Sequence, residues 1–461
     1  MQVGGSRRVA LGAFAALAVV ASAFTGSSVA SDATRAKAAA NPFAHYGNIT
    51  LKVWSADNQD PGPEPVIKQL SANFSKKYPN VKVELTFKGF TDYMKVIQLA
   101  LNGNSAPDVA EGNQGFATDA LLVKAKLIRP LDSYAKKYGW LKYYTPGTAA
   151  QFRWTPDGKT FGKGNLWGVG QFGQSTGIFY NKAKLKQFGY DPAKLPTTFA
   201  AFDKMVTAIR AKDQKSDPVI VLGNKDGYEA VHAWGMIQGA FTSGGAMRDW
   251  IFHKKGATFD NAGNKQALEV LQRWTKANVF GSDYNAVNEN DASAAFAKGK
   301  GVFYMGGNWQ AAVIKAGLGA DAGFMDAPPG ASGKHVAIGS TSLPWHVSAK
   351  TKYPDVAAAY IDYLISAPGS AKMMYAQNQI PAIQGAPSAG GDPYLTSVAQ
   401  GWQTLVKDDG LTLFPDWSSD TMLTTLGTSF QKLMAGRAEP KDVLADVQGD
   451  WAKFDKSLAK T

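Results

Sequence analysis

The sequence predicts an α/β protein made of two halves, each with a mostly parallel β-sheet covered by helices. Strand patterns alternate with helical patterns from residue 48, the alternation resumes after residue 165, and the chain is largely helical from Tyr353 onward. A β-α-β rhythm favours parallel strands, because parallel neighbours need a long crossover connection. With 461 residues, of which 45% are hydrophobic, the chain is long enough for two such halves.

The first half begins with a strand over 49–54, where apolar and polar residues alternate. Pro65 suits a helix start, and apolar residues then recur at helical spacing as far as the next proline. A second strand is predicted over 81–87, followed by a helix over 93–101. A short strand at 107–110 leads into a polar loop. These elements form one β-α-β-α series.

The second half repeats this organisation after residue 165. Strands are predicted within 167–181, at 218–222 and at 301–305. Helices are predicted over 199–209 and 268–274, where apolar residues lie on one helical face. The sequence shows no short internal repeat, so the halves are expected to be related by architecture only.

The first thirty residues predict an export signal. An arginine pair at 7–8 precedes an almost uncharged apolar run over 9–24, and 28–30 offers small residues to a signal peptidase. The apolar run is shorter than a membrane span needs. Sec and twin-arginine export both stay open. The Ala-rich stretch at 31–47 is interpreted as a tether, and the protein is expected to be extracellular, cell-surface associated or periplasmic.

The composition excludes several classes of protein. The absence of cysteine rules out disulfide frameworks, zinc fingers, thiol nucleophiles and a Cys-linked lipid anchor. The net charge of +12 is spread without a block of five basic residues, so no nucleic-acid partner is expected. Five scattered histidines and a calcium-like loop over 57–60 that Pro61 interrupts predict neither a metal site nor a cofactor.

Two glycine-rich strings match motifs of enzymes. Residues 168–173 match G-x-G-x-x-G, and residues 173–177 match the G-x-S-x-G string of serine hydrolases, centred on Ser175. Both motifs need a helix directly after them, and a strand pattern follows here instead. The favoured interpretation is therefore a glycine-rich bend beside a cleft, with catalysis by Ser175 kept as an alternative.

Several short stretches follow one another in a characteristic order from residue 48 to the end of the chain. They are the strand over 49–54, the segment 74–83, Ala106-Pro107-Asp108-Val109, the segment 127–132, Leu166-Trp167-Gly168-Val169, the segment 178–182, Pro196-Thr197-Thr198, the segment 295–300 and Gly307-Asn308-Trp309. In this order they resemble the extracellular solute-binding proteins of family 1, which are carbohydrate receptors of ABC importers related to maltose-binding protein.

This resemblance implies a two-lobed periplasmic-binding-protein type II fold with a ligand cleft between the lobes. It also implies a monomer that has a carbohydrate ligand, ABC permease subunits as partners and no cofactor. The chain lacks the lipobox cysteine of many relatives, so its attachment to the cell surface stays open. The expected boundaries are 48–168 plus 306–340 for the first lobe and 172–303 plus 344–461 for the second, with crossings near 169–172, 303–307 and 339–345.

Candidate ligand-binding residues follow from the chemistry of sugars. Aromatic rings stack on the C–H faces of a sugar, while amides and carboxylates bind its hydroxyls. Open α/β sheets bind ligands at the carboxyl ends of their strands. The predicted binding residues there are Trp54, Asn58, Asp60, Asn113, Gln114, Gln171, Gln174, Trp234, Asn308, Trp309, Ser340, Trp345, Asp416 and Trp417.

Several of these candidates have structural alternatives. Trp54 could be a core residue of its strand, and Asp60 could be a turn residue. For Trp234, Trp345 and Trp417 the sequence does not decide between core and ligand. The strongest candidate is the tryptophan at 309, because two glycines before it would allow close approach to a ligand.

The functional hypothesis is a receptor without chemistry of its own, whose lobes close on a sugar by a hinge motion. The many aromatic residues favour an oligosaccharide, and the mixture of amides and aromatics does not indicate a cationic ligand. Two alternatives stay open, a secreted hydrolase that uses Ser175 and the same fold binding a non-sugar solute.

Overall fold

The computed structural model describes residues 41–213, 217–386 and 389–460. The predicted export signal and residues 31–40 of the predicted tether lie outside these ranges. From Phe43 onward the chain forms one compact unit. No helix in the described ranges is long and apolar enough to cross a membrane.

The strands are short except for β1, β2 and β7. In chain order they are β1 (Ile49–Ser55), β2 (Val81–Phe87), β3 (Val109–Glu111), β4 (Arg153–Trp154), β5 (Asn165–Leu166), β6 (Val169–Gly170), β7 (Gln174–Asn181), β8 (Ile220–Val221), β9 (Phe303–Gly307), β10 (Ala322–Met325), β11 (Gly339–Ser340) and β12 (Pro344–Val347).

Helices make up most of the remaining regular structure. They are α1 (Pro63–Lys77), α2 (Phe90–Asn102), α3 (Asp119–Lys124), α4 (Asp132–Tyr138), α5 (Pro146–Ala150), α6 (Lys182–Gln187), α7 (Phe199–Lys212), α8 (Glu229–Gln238), α9 (Gly244–Ile251), α10 (Ala262–Lys276), α11 (Glu289–Ala297), α12 (Ala311–Leu318), α13 (Pro354–Ser366), α14 (Ser370–Ala376), α15 (Pro393–Lys407), α16 (Met422–Met434) and α17 (Pro440–Lys460). Short 3-10 helices cover Ala44–Tyr46, Trp140–Tyr143, Tyr284–Ala286, Asn308–Gln310, Gly319–Asp321 and Pro415–Ser418.

Two five-stranded sheets organise the chain, and β4 and β5 form a separate pair. The first sheet has the order β2-β1-β3-β12-β6, in which β1 is parallel to β2 and β3 while β12 is antiparallel to β3 and β6. The second has the order β10-β7-β9-β8, and β11 pairs with the start of β7. There β8 and β9 form a parallel pair, and β7 is antiparallel to β9, β10 and β11. The expectation of mostly parallel sheets agrees with these strand directions, because each sheet contains four strands that run one way and one strand, β12 or β7, that runs the opposite way.

Helix α1 shows how the sequence builds the layer on the first sheet. It begins at Pro63, and its buried face includes Val66, Leu70 and Phe74. This face packs against α13, where the Tyr360 hydroxyl lies 2.7 Å from Ser71 Oγ. Apolar residues at helical spacing thus place α1 and α13 in one core with the first sheet.

The strand pairing differs from the expected division of the chain at several points. Strand β10 lies in the second sheet although 306–340 was expected in the first lobe, and β12 lies in the first sheet although 344–461 was expected in the second. Helix α13 also packs with the first sheet. At the N-terminal side, Phe43 is already buried in that core, so the packed structure begins within the expected tether.

The chain passes between the two sheets at closely packed segments. One joins β6 to β7, and another joins β11 to β12. A third segment, 380–382, lies beside the first, where Gly173 N donates to Ile380 O over 2.7 Å and Ala382 N donates to Gln171 O over 3.0 Å. The expected crossing at 303–307 is instead β9, which pairs on both sides within the second sheet.

Candidate functional site

A cavity of about 620 Å³ lies where the carboxyl ends of strands from both sheets meet. Loops that follow β1, β2 and β3 contribute residues from the first sheet, and loops that follow β8 and β9 contribute residues from the second. Segments near β11 and around 414–417 complete the wall. Open α/β sheets bind ligands at this position, so the cavity is the candidate site.

Eight of the fourteen predicted binding residues line this cavity. They come from six separate segments of the chain, and the fold brings them together. They are Asn58, Asn113, Gln114, Gln174, Trp309, Ser340, Asp416 and Trp417. Their contact with a ligand stays a prediction.

The other six predicted residues do not line the cavity. Trp54 is partly buried on β1, with the Lys88 ammonium 5.5 Å from its ring centroid, and Asp60 is exposed. Trp234 is buried on α8, a helix enclosed on all sides, between Phe259 and Phe430. Trp54 and Trp234 therefore pack against neighbouring side chains, as the structural alternative for each of them had it.

The remaining three are Gln171 between β6 and β7, Trp345 on β12, and Asn308 directly after β9. Trp345 is fully buried, and its Nε1 donates to Gln171 Oε1 over 3.2 Å. Asn308 Oδ1 accepts from Ser175 N at 3.2 Å, and Asn308 Nδ2 donates to the Gly173 carbonyl at 3.0 Å. The side-chain amides of Gln171 and Asn308 thus form hydrogen bonds with an indole and with backbone groups, and they do not line the cavity.

The cavity also contains residues that the sequence analysis did not select. The omitted polar and aromatic residues are Asp57, Gln59, Phe90, Thr91, Asp92, Lys95, Asp226, Tyr228, His232, Asn288, Glu289, Asn290, Asp291, Ser342 and Phe414. Two signals in the sequence could have found some of them. Asp226 follows a predicted buried strand, and residues 288–291 are four successive polar residues before a helix.

Two tryptophans are held in fixed orientations at the cavity. Trp309 Nε1 donates to Glu289 Oε2 over 3.0 Å. Trp417 Nε1 donates to Asn113 Oδ1 over 3.1 Å, and Asn113 Nδ2 in turn donates to Asp416 Oδ2 over 3.4 Å. An indole fixed in this way presents its ring at little cost in conformational entropy when a ligand stacks on it.

Several hydrogen-bond acceptors in the cavity-lining side chains have no partner within the described structure. They are buried oxygens of one Asp, two Gln and one Glu. The atoms are Asp57 Oδ2, Gln59 Oε1, Gln114 Oε1 and Glu289 Oε1. Buried polar atoms are normally paired, so such a group of acceptors indicates a site for a ligand that supplies donors.

Burial controls the ionisation of the cavity groups. Burial raises the pKa of Asp57 to about 6, although hydrogen bonds with Glu111 and Gln174 act in the opposite direction. It also raises the pKa of Asp416 to about 6 and that of Glu289 to about 7. These carboxyl groups are therefore poised to change charge near neutral pH.

His232 is neutral over the same pH range, because burial lowers its pKa to about 3. Its ring lies 5.6 Å from that of Trp309 in an edge-to-face arrangement. The cavity thus has one neutral imidazole and one indole in contact, with carboxyl groups around them.

Glu111 supports the cavity from behind the β1 loop. Its Oε2 accepts from Ser55 Oγ and from the backbone N–H of Ala56, each over 2.7 Å, and from the N–H of Asp57 over 3.3 Å. Burial, followed by the nearby Asp57 carboxyl, raises the pKa of Glu111 well above its usual range. Through these hydrogen bonds Glu111 fixes the turn after β1 that places Asp57 at the cavity.

The two glycine-rich strings occupy a segment between the sheets. Ser175 is fully buried on β7, and its Oγ has no hydrogen-bond partner among the described residues. A strand follows it, whereas a nucleophile elbow needs a strand-to-helix turn and a base within reach. The strand also separates G-x-G-x-x-G from any helix that could hold a pyrophosphate. Within the described ranges no cluster of potential metal ligands is found.

Comparison with known families identifies the class of protein. The model for bacterial extracellular solute-binding proteins matches residues 55–371. This match covers more than half of the chain, and it includes the strands of both sheets except most of β1, as well as most segments that line the cavity. The chain therefore belongs to the bacterial extracellular solute-binding protein family.

Two curated relatives share less than 30% sequence identity with the chain. The chain is 26% identical over 222 residues to a multiple sugar-binding protein of Streptococcus mutans, a match that covers 46% of this chain and 50% of the relative. The chain thus spans half the length of that relative. It is 22% identical over 340 residues to an uncharacterized ABC transporter extracellular-binding protein of Pyrococcus horikoshii, covering 72% of this chain and 71% of the other.

Solved structures establish the two-lobed type II fold. A protein described with xylan utilization by Caldanaerobius polysaccharolyticus has a TM-score of 0.74 at 24% identity, covering 87% of this chain and 99% of the other. A chitin oligosaccharide binding protein has a TM-score of 0.74 at 17% identity, with coverages of 89% and 99%. RafE in complex with raffinose has a TM-score of 0.68 at 18% identity, with coverages of 88% and 100%.

Proposed function

We propose that the protein is the extracellular substrate-binding component of an ABC transporter. In this proposal the protein captures an oligosaccharide in the cavity between two lobes and delivers this sugar to a membrane permease. The observation that carries the proposal is the cavity itself, which combines two oriented tryptophans with unpaired acceptors. Sugars offer the apolar faces and hydroxyl donors that such a surface can bind.

Several features support this proposal. The volume of about 620 Å³ lies within the range of about 300–1,000 Å³ found for small-ligand sites, with room for more than one sugar ring. Similar structures include one bound to raffinose and one named for chitin oligosaccharides. Family membership supports export, for which residues 1–30 would act as the signal, and action as a monomer with permease partners.

Closure around the ligand follows from the connecting segments. The cavity takes residues from both sheets, so one ligand can contact both at once and favour the closed conformation. The segments 171–173, 341–343 and 380–382 are the positions at which backbone rotation would close the site. The geometry of the buried Ser175 gives no support to the alternative of hydrolysis.

Thermal unfolding with a panel of neutral oligosaccharides tests the proposal. A ligand at 1,000 times its dissociation constant should add about 4 kcal/mol to the free energy of unfolding, which raises the melting temperature by several degrees. We expect at least one sugar to do so and to be recovered unchanged. A sugar that is consumed, with turnover lost in Ser175→Ala, would instead establish a hydrolase.

A further inference from the structure

The charge of the cavity is opposite to that of the whole protein. The sequence has a net charge of +12. The described residues that line the cavity nevertheless include six carboxylic acids and one lysine. The acids are Asp57, Asp92, Asp226, Glu289, Asp291 and Asp416.

The lysine does not neutralise this group of acids. Lys95 Nζ lies 3.2 Å from Asp92 Oδ1, and both side chains are exposed at the edge of the cavity. Within the described ranges the other five acids have no ion-pair partner within 4 Å. The negative potential in the cavity is therefore left for a ligand to compensate.

Two of these acids are more than nine-tenths buried and have an unpaired oxygen. Asp57 is 5% exposed and Glu289 is 7% exposed. Asp57 Oδ2 and Glu289 Oε1 accept no hydrogen bond from any described group. Burying a carboxylate without a donor or a counter-charge is costly, so these oxygens indicate a ligand that brings both.

The pKa values of the same groups agree with this interpretation. Burial raises the pKa of Asp57 to about 6 and that of Glu289 to about 7, although hydrogen bonds with neighbouring side chains act in the opposite direction. A positive charge bound nearby would favour ionisation and release protons. Neutral hydroxyl groups would satisfy the acceptors but would leave the net charge of the cavity unchanged.

We propose that the cavity takes an oligosaccharide that carries at least one protonated amine, that is, an amino sugar with a free amino group. This inference rests on the proposed function and narrows its ligand class. An ammonium group donates three hydrogen bonds and supplies the missing positive charge, while the two tryptophans bind the sugar faces. An acidic sugar or a sugar phosphate would instead add a like charge and is excluded.

The structure thus changes an expectation from the sequence. The polar loops selected from the sequence gave no indication of a cation, because they contain mainly amides. The additional acids are Asp57, Asp92, Asp226, Glu289 and Asp291, which the fold brings to the same cavity as Asp416.

Titration calorimetry with matched sugars tests the inference. The β-1,4-linked disaccharide and trisaccharide of glucosamine differ from cellobiose and cellotriose only in the amine that replaces the 2-hydroxyl group on each ring. Their N-acetylated forms keep the nitrogen without its charge, and kanamycin presents amines on α-linked rings. At low salt and near pH 6 we expect an amine-bearing probe to bind at least tenfold more tightly than its neutral counterpart or, for kanamycin, than maltotriose. Raising the salt concentration should reduce this advantage.

The outcomes separate the inference from the proposed function. A neutral sugar that binds as tightly as every amine-bearing probe would overturn the inference and leave the sugar-receptor function intact. If no sugar of any kind binds, both fail. Tighter binding of spermidine than of any sugar would also overturn both, because the ligand would then be a cationic solute without sugar rings.

Charge-neutralising variants give an independent test. Asp226→Asn and Glu289→Gln keep the side-chain shape, and each removes one carboxyl group that a bound ammonium group would hold in its ionised form. We expect each to reduce the ratio of amino-sugar to neutral-sugar affinity at least threefold. The matched control is Glu84→Gln, an exposed position on β2 outside the cavity, which should keep the ratio. Folding is checked by melting temperature, and folded variants that keep the full ratio would contradict the inference.

Discussion

Trp309 illustrates how single residues build the site. Its indole donates to Glu289, and an added Cβ at Gly307 would overlap the ring. Position 307 therefore requires glycine, because the indole ring lies directly over its backbone. The sequence predicts this arrangement in part, because Gly-Gly-Asn-Trp suggested close approach, whereas the partner Glu289 lies in a distant segment.

Replacing the indole should weaken sugar binding selectively. We expect Trp309→Ala to reduce affinity roughly tenfold to a hundredfold, because the stacking surface and the orientation of Glu289 are lost together. Titration calorimetry measures the change. Trp54→Ala is the matched control, because Trp54 does not line the cavity, and an equal loss in both variants would place the site elsewhere.

Glu289 should make stability depend on pH. Its pKa is raised to about 7 in the folded state, so the folded protein holds this proton when the unfolded chain has lost it. The stabilisation is complete below the ordinary pKa of about 4.5 and is lost as pH rises through 7. Between pH 5 and pH 8, Glu289→Gln should therefore gain on the order of 1–3 kcal/mol relative to the parent protein.

Denaturant unfolding of the ligand-free protein at these two pH values measures that difference. The Glu84→Gln variant, measured alongside, is the control for replacing an exposed carboxyl group on the surface. If the difference between Glu289→Gln and the parent protein stays constant from pH 5 to pH 8, the carboxyl does not titrate as described.

At the scale of residues, sequence reasoning finds residues of the cavity wall where chemistry and position coincide. Asn113, Gln114 and Trp417 combine polar or aromatic character with loops that reach the cavity. It fails for Trp234 and Trp345, because a tryptophan beside a loop has the same composition whether it packs in a core or faces a ligand. Only the three-dimensional contacts distinguish the two cases.

The elements themselves are predicted well from periodicity. Strands β1 and β2 and helices α1 and α7 occur where alternation or helical spacing indicated them. Periodicity does not predict which strands pair, because β10, β11 and β12 are short and show little alternation of apolar and polar residues. Their sheet is decided by long-range hydrogen bonds, which is why β10 and β12 differ from the expected division.

The segment that leaves β6 depends on a glycine. An added Cβ at Gly170 would overlap the carbonyl oxygen of Thr341 in the adjacent connecting segment. The Gly170 carbonyl also accepts from the Tyr144 hydroxyl over 2.6 Å, which limits its movement. We expect Gly170→Ala to lower the free energy of unfolding by about 1–3 kcal/mol or more.

Thermal unfolding compares this variant with Gly449→Ala on the exposed side of α17. There the added methyl group meets nothing within 4 Å, and alanine should stabilise the helix by up to about 1 kcal/mol. Equal stability of the two variants would mean that the connecting segments are loosely packed.

At the scale of the whole molecule, the cavity depends on both sheets and therefore on their relative position. We expect a saturating sugar to lower the radius of gyration measured by small-angle X-ray scattering, because the bound ligand favours the closed conformation. Trp309→Ala at the same sugar concentration should show a smaller change. An unchanged radius with saturated binding would contradict the hinge mechanism.

The sequence predicts the fold and family of the protein, whereas it does not predict the chemistry of the ligand. The order of the family stretches over the whole chain indicates the two-lobed fold, and many weak signals add up at that scale. The charge of the cavity depends on six acids from five segments, and no local pattern unites Asp57 with Asp226 or Asp416. Ligand chemistry is therefore a property of the assembled fold.

The most direct test of the central claim is calorimetric titration of the purified protein with neutral and amine-bearing oligosaccharides. We expect at least one sugar to bind with a stoichiometry of one, to be recovered unchanged, and to bind more weakly to Trp309→Ala. If no sugar binds the folded protein, or if the sugar is cleaved during the titration, the cavity is not the site of a sugar receptor.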